Sequence, residues 1–179
     1  FRRVLFRSPT DSSTSPKHRL ALLSPRRADR QWLGEALSSS YYRWVTDTLA
    51  SSKLSERRRL ASTETGLLLA TGKEISALNE AYRGIAQETN VLAFPSMEWL
   101  EDGTLSLGDL VICPKIVRKE AKAQGKSTND HFLHLLLHGM LHLFGYDHQT
   151  ARQAKTMESR EIAMLEKVGI SNPYMESDS

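Results

Sequence analysis

Five of the six histidines in the 179-residue sequence lie within HFLHLLLHGMLHLFGYDH, residues 131 to 148. On a helix of 3.6 residues per turn, His131, His134, His138 and His142 share one stripe, because their spacings are three, four and four. Leu133, Leu136, Leu137, Leu141 and Leu143 fill the other faces and predict burial. Each imidazole in such surroundings needs a partner, and one unmet polar group costs about 1–3 kcal/mol. A metal ion satisfies several at once. The competing reading, a buried helix whose histidines are hydrogen-bonded one by one, is strained by their number.

Three neutral imidazoles can hold zinc while leaving a fourth position open, the arrangement of a catalytic site. His138 and His142 are one turn apart, and Gly145 is placed to end the helix with a positive φ, turning His148 back toward them. The expected ligands of one Zn2+ per chain are therefore His138, His142 and His148. His134 is expected behind the ligands or in the core, and His131 is expected to face substrate or to be merely polar. The same H-x3-H-x5-H spacing occurs in the metzincin proteases, whose general-base Glu directly follows the first histidine. That position is Gly139 here, which makes a zinc metallopeptidase the weaker enzyme reading.

The elements that must position these residues interleave without a regular βαβ repeat. Trp32, Leu33, Leu37, Tyr41, Trp44, Val45 and Leu49 fall near helical spacing. ETGLLLAT reads as a buried strand, KEISALNEAYRG as a helix with Ile75, Leu78 and Tyr82 on one face and Gly84 as its stop, and TNVLAFP and SLGDLVICP as strands. KIVRKEAKAQGKS is a helix ending near Gly125. The histidine helix follows, capped by Thr128, Asn129 or Asp130, and residues 151 to 169 form a last amphipathic helix. The pattern predicts an α+β fold, a single compact domain with a small mixed sheet, flanking helices and a zincin-like metal helix.

The net charge of +3 invites a nucleic-acid reading, but its distribution weakens it. Residues 1 to 30 hold eight Lys/Arg against two acids, a net of +6, so the remainder carries −3. That first segment, rich in Arg, Ser and Pro, is expected to be a disordered basic extension, a transit segment or foreign sequence. The domain is expected over residues 31–172, with a flexible tail at 173–179. A single cysteine, Cys113, permits no internal disulfide and favours a reducing compartment, the cytoplasm first. No apolar run approaches the ~20 residues of a membrane span.

The string HGMLHLFGYDH, residues 138 to 148, closely resembles the signature of the YbeY family of bacterial endoribonucleases. LNEAYRG (78–84), TNVLAFP (89–95), LGDLVIC (107–113) and HFLH (131–134) resemble that family's segments in the same order, and the likeness spans about residues 65 to 169. Ala93 stands where the family usually has Ser. The resemblance implies zinc on His138, His142 and His148, a catalytic role for Arg83, and an α+β sandwich-like fold. It further implies a single-strand-directed endoribonuclease of ribosomal RNA maturation and ribosome quality control, with small-subunit precursor RNA and the ribosome or its proteins as partners.

Arg83 suits such chemistry because its planar guanidinium matches phosphate oxygens. Asn79 can contact RNA or fix its own helix; Asp147 can orient a ligand histidine or lie solvated in a turn; Asp109 reads mainly as a turn or strand-start residue. Lys115, Lys119, Lys122 and Lys126, spaced four, three and four with Arg118 beside them, form a stripe able to track phosphates, with a solvated face as the alternative. Arg57, Arg58 and Arg59 are a second basic patch. A zinc-stabilised, non-catalytic ribosome-associated module stands as the non-enzymatic alternative.

Overall fold

The structure, a computed structural model, describes residues 18–23, 35–51 and 62–175. Its elements are β1 (His18–Leu22), α1 (Glu35–Ala50), β2 (Thr63–Leu69), α2 (Gly72–Arg83), β3 (Val91–Trp99), β4 (Leu105–Ile112), α3 (Pro114–Ala123), α4 (Thr128–Leu143) and α5 (Ala151–Glu166). The strands form one mixed sheet in the order β1-β2-β4-β3. The first two neighbours pair in parallel and β3 returns antiparallel on β4. This is the α+β arrangement expected from the interleaved pattern.

Alternation along the strands divides the apolar residues between two sheet faces. Leu67 and Leu69 of β2, Val91 and Ala93 of β3, and Leu110 and Ile112 of β4 meet α4 in the main core. Leu68, Leu92, Phe94 and Val111 point the other way, toward Ile75 and Leu78 of α2. Leu105 and Leu107 join the main core as well, although they are out of phase with Leu110 and Ile112. The register shift where Ser106 and Gly108 oppose Glu64 and Thr65 explains it, since one extra residue in a strand resets which side faces inward.

The histidine helix is central to this core, with Phe132, Leu136, Leu137, Met140 and Leu141 fully buried. Helix α1 packs Tyr41, Trp44, Val45 and Leu49 into the same cluster. Trp44 Nε1 donates to the Met164 carbonyl at 3.0 Å, tying α1 to α5. Trp44→Phe is expected to cost about 1–2 kcal/mol through the lost hydrogen bond and smaller ring, read as a lower urea midpoint at unchanged slope.

Several expectations are corrected. Residues 1–30, expected to be disordered, include strand β1 at His18–Leu22, whose parallel pairing with β2 gives its short HRLAL run a ladder and whose Leu20 and Leu22 pack on the core. The tail expected from 173 begins with anchored residues: Lys126 Nζ donates to the Pro173 carbonyl at 2.5 Å and the Tyr174 hydroxyl donates to Glu161. Tyr82, placed on one helical face with Ile75 and Leu78, is 66% exposed, with its ring edge against Phe94 at 4.8 Å between centroids. Ser127, not Thr128, Asn129 or Asp130, caps α4, its hydroxyl accepting from Asp130 N at 3.4 Å. Trp32, Leu33 and Arg57 to Arg59 lie outside the described residues.

Candidate metal centre

Helix α4 carries His138 and His142 one turn apart, and its ending sets His148. Gly145 takes φ +84, a left-handed conformation natural to glycine. Its N–H donates to the His142 carbonyl at 2.9 Å and Tyr146 N–H to the Leu141 carbonyl at 3.0 Å, the paired bonds of a Schellman ending. The chain therefore reverses within a few residues. One ring nitrogen from each of His138, His142 and His148 then lies within 4.8 Å of the others, a set that could hold a metal ion.

The closest pair is His138 Nε2 and His142 Nε2, 3.1 Å apart. Nitrogens bound at about 2.0–2.1 Å in a tetrahedral zinc site sit roughly 3.3 Å apart, so small ring movements convert this set into such a site. The donor chemistry fits as well. The pKa of His142 is lowered, chiefly by burial and then by His138 and His148, against smaller opposing effects of the Tyr146 backbone and Asp147. Its ring is accordingly neutral near pH 7, the form that binds metal.

Behind the triad lies Glu161 of α5, fully buried. Its Oε1 meets His138 Nδ1 at 2.7 Å, and its Oε2 meets His134 Nε2 at 3.3 Å and accepts from the Tyr174 hydroxyl. Burial opposes the charge of this carboxyl, but the hydrogen bonds from His134, His138 and Tyr174 outweigh it and bring its pKa to about 2. His134 thus meets the carboxylate behind the triad and is not a member of the triad.

In front of the triad is a cavity of about 640 Å³, lined by Arg83, Asn90, Ala93 and Pro95 on one side and by His138, Gly139, His142, Tyr146 and His148 on the other. Arg83 reaches it from the last turn of α2, which ends at the left-handed Gly84. Asn79 helps to set that end, since its Nδ2 donates to the Gln87 carbonyl at 3.0 Å and fastens the loop that follows Arg83. A profile of the Endoribonuclease YbeY family matches residues 28–169, a stretch holding Arg83 and all three histidines.

This chain belongs to the YbeY family. The protein named endoribonuclease YbeY in Francisella tularensis subsp. novicida is 37% identical over 130 residues, 70% of this chain and 80% of that one. The one from Methylococcus capsulatus is 49% identical over 106 residues, 58% of this chain and 69% of its own. Among solved structures, the solution structure of TM1509 from Thermotoga maritima is similar with a TM-score of 0.58 and 27% identity, over 89% of this chain and 97% of that one.

In this YbeY protein the remaining candidates separate by their contacts. His131, expected to face substrate or to be merely polar, is not among the residues lining the cavity; it is buried, with Nε2 2.8 Å from Glu120 Oε2, and Glu120 also accepts from Asn90 Nδ2 at 3.1 Å. Asp147 accepts from the His148 backbone N–H at 2.8 Å, so its carboxylate shapes the turn. The carboxylate on a triad ring is Glu161, which the sequence reading missed. Its one trace in the sequence is a charged residue four positions after Met157 and four before Leu165, on the buried face of α5. Two of the four stripe lysines are engaged: Lys115 Nζ sits 2.9 Å from Glu88, and Lys126 Nζ holds Pro173. Ala93, the departure from the family pattern, falls on the cavity wall.

Proposed function

We propose that this protein is a zinc-dependent, single-strand-directed endoribonuclease of ribosomal RNA maturation and ribosome quality control. In this reading it acts in the cytoplasm on small-subunit precursor RNA, in company with the ribosome or its proteins. The observation that carries it is one cavity lined by both Arg83 and the triad of His138, His142 and His148. Membership of the YbeY family supports the ribosomal substrate. Among the described residues no helix is long and apolar enough to cross a membrane.

His138, His142 and His148 would hold the zinc through their ring nitrogens. When bound, zinc supplies Lewis-acid stabilisation for charge on a phosphoryl oxygen and can acidify water to a pKa of about 7. Arg83 supplies a permanent positive charge and a fork of donors for phosphate oxygens from the facing wall. Single strands, whose bases and backbone are both accessible, are the usual target of RNA-reading proteins.

Arg83→Ala is expected to lower cleavage of a single-stranded ribosomal RNA fragment by about 10²–10³-fold, the loss typical of removing one preorganised charge-stabilising donor. Zinc content should stay equal to wild type. Equal cleavage by both proteins would remove the role of Arg83. Full zinc loading with no cleavage by either would favour the non-catalytic module.

A further inference from the structure

We infer that Glu161 is a positioning residue for metal capture: its buried carboxylate fixes the ring of His138, and Tyr174 and His134 fix the carboxylate. The inference rests on the reading of His138, His142 and His148 as metal ligands and deepens it. Glu161 comes from α5, 23 residues from His138 in sequence, and its side chain is 0% exposed.

The geometry determines which nitrogen of His138 is free. A carboxylate only accepts, so the 2.7 Å contact makes Nδ1 the protonated donor and leaves the lone pair on Nε2. Nε2 is the atom that faces His142 Nε2 at 3.1 Å. The same bond stops the ring from turning and makes its free nitrogen more basic, the usual action of a carboxylate behind a ligand histidine. A full negative charge beneath the triad also offsets the charge of an arriving cation.

A buried carboxylate holds this place only if its other lone pairs are met. His134 Nε2 and the Tyr174 hydroxyl meet Oε2, and the Tyr174 ring stands edge-on to His134 at 5.6 Å. Tyr174 is itself tied down, its N–H donating to Asn172 Oδ1 at 2.9 Å while Lys126 holds the preceding carbonyl. The segment after α5 thereby closes the carboxylate from the outside. His134, which shares the histidine stripe without joining the triad, serves as the second imidazole of this clamp.

The test is the zinc dissociation constant of the full chain, measured by competition with a chromophoric chelator, beside urea unfolding of the zinc-free proteins. Glu161→Gln should weaken zinc by about 10–100-fold, and Tyr174→Phe should weaken it by a smaller factor, each with a cooperative unfolding transition. The cobalt-substituted Glu161→Gln protein should show a changed d–d absorption band, which a purely structural role would leave alone. Zinc affinity within twofold of wild type in Glu161→Gln would overturn the inference, even if the unfolding midpoint fell. Should Glu161→Gln not fold, Tyr174→Phe decides, and an unchanged zinc affinity there overturns it. A wild-type protein that binds no zinc would instead refute the metal-site reading itself.

Discussion

Replacing His142 by alanine is expected to weaken zinc by about 10²–10³-fold, and RNA cleavage should fall with it. His142 is the middle member of the triad, with Nε2 3.1 Å from His138 Nε2 and its ring centroid 5.0 Å from that of His148. A structural zinc site contributes about 10–16 kcal/mol, so one ligand among three or four accounts for roughly 3–4 kcal/mol. Treating the wild type with a chelator should reproduce the loss, and adding zinc should restore cleavage to the wild type alone. His134→Ala gives the contrast. It removes a donor to Glu161 and no ligand, so most of the zinc should remain. Metal analysis of the purified proteins decides the matter: equal, complete metal loss from His134→Ala and His138→Ala would refute the ligand set.

The second large effect is expected at Gly139, the position where a metzincin carries its general base. Gly139 is buried, and a Cβ built there would lie 2.8 Å from Leu110 Cδ2 and 3.2 Å from Val91 Cγ2. Helix α4 approaches β3 and β4 so closely that no side chain fits without displacement. Gly139→Glu would press a carboxylate into these apolar contacts, at a cost of about 4 kcal/mol or more, a large part of the ~5–15 kcal/mol that holds a domain folded. The thermal midpoint should fall steeply, and no peptidase activity should appear. Gly139→Ala should lose only about 1 kcal/mol, because ~1–3 kcal/mol of overpacking is offset by the ~1 kcal/mol that alanine gains over glycine in a helix. An unchanged midpoint in Gly139→Glu would contradict the close approach.

The peptidase reading weakens for the same reason. The H-x3-H-x5-H spacing fixes where ligands fall on a helix, and it does not fix which face of that helix meets a sheet. In this fold the residue after His138 turns toward Leu110 and Val91, which leaves no room there for a proton-carrying side chain. The glycine meets a packing requirement of this fold, and the charged side chains lining the cavity are Arg83, from another helix, and Asp147 of the turn.

What the sequence by itself determined was local. Intervals of three and four residues put four histidines on one stripe, and a glycine three positions past His142 supplied the left-handed residue that turns His148 toward the triad. Contacts of this kind follow from helix pitch and the missing Cβ of glycine. The strands at ETGLLLAT and SLGDLVICP and the stop at Gly84 were legible from short apolar runs and the residues that bound them. The tertiary structure decided everything that depends on distant parts meeting. Strand β1 exists because β2 offers it a parallel ladder, and nothing in HRLAL announces that partner. His131 and His134 look alike on the stripe, yet one meets Glu120 and the other Glu161, because different helices cover the two turns. Tyr82 keeps helical spacing and is still 66% exposed, with its ring edge against Phe94 of β3. Glu161 and Arg83 reach opposite sides of the triad from α5 and α2. Their roles come from the packing of those helices around one sheet, which residue spacing along the chain does not encode.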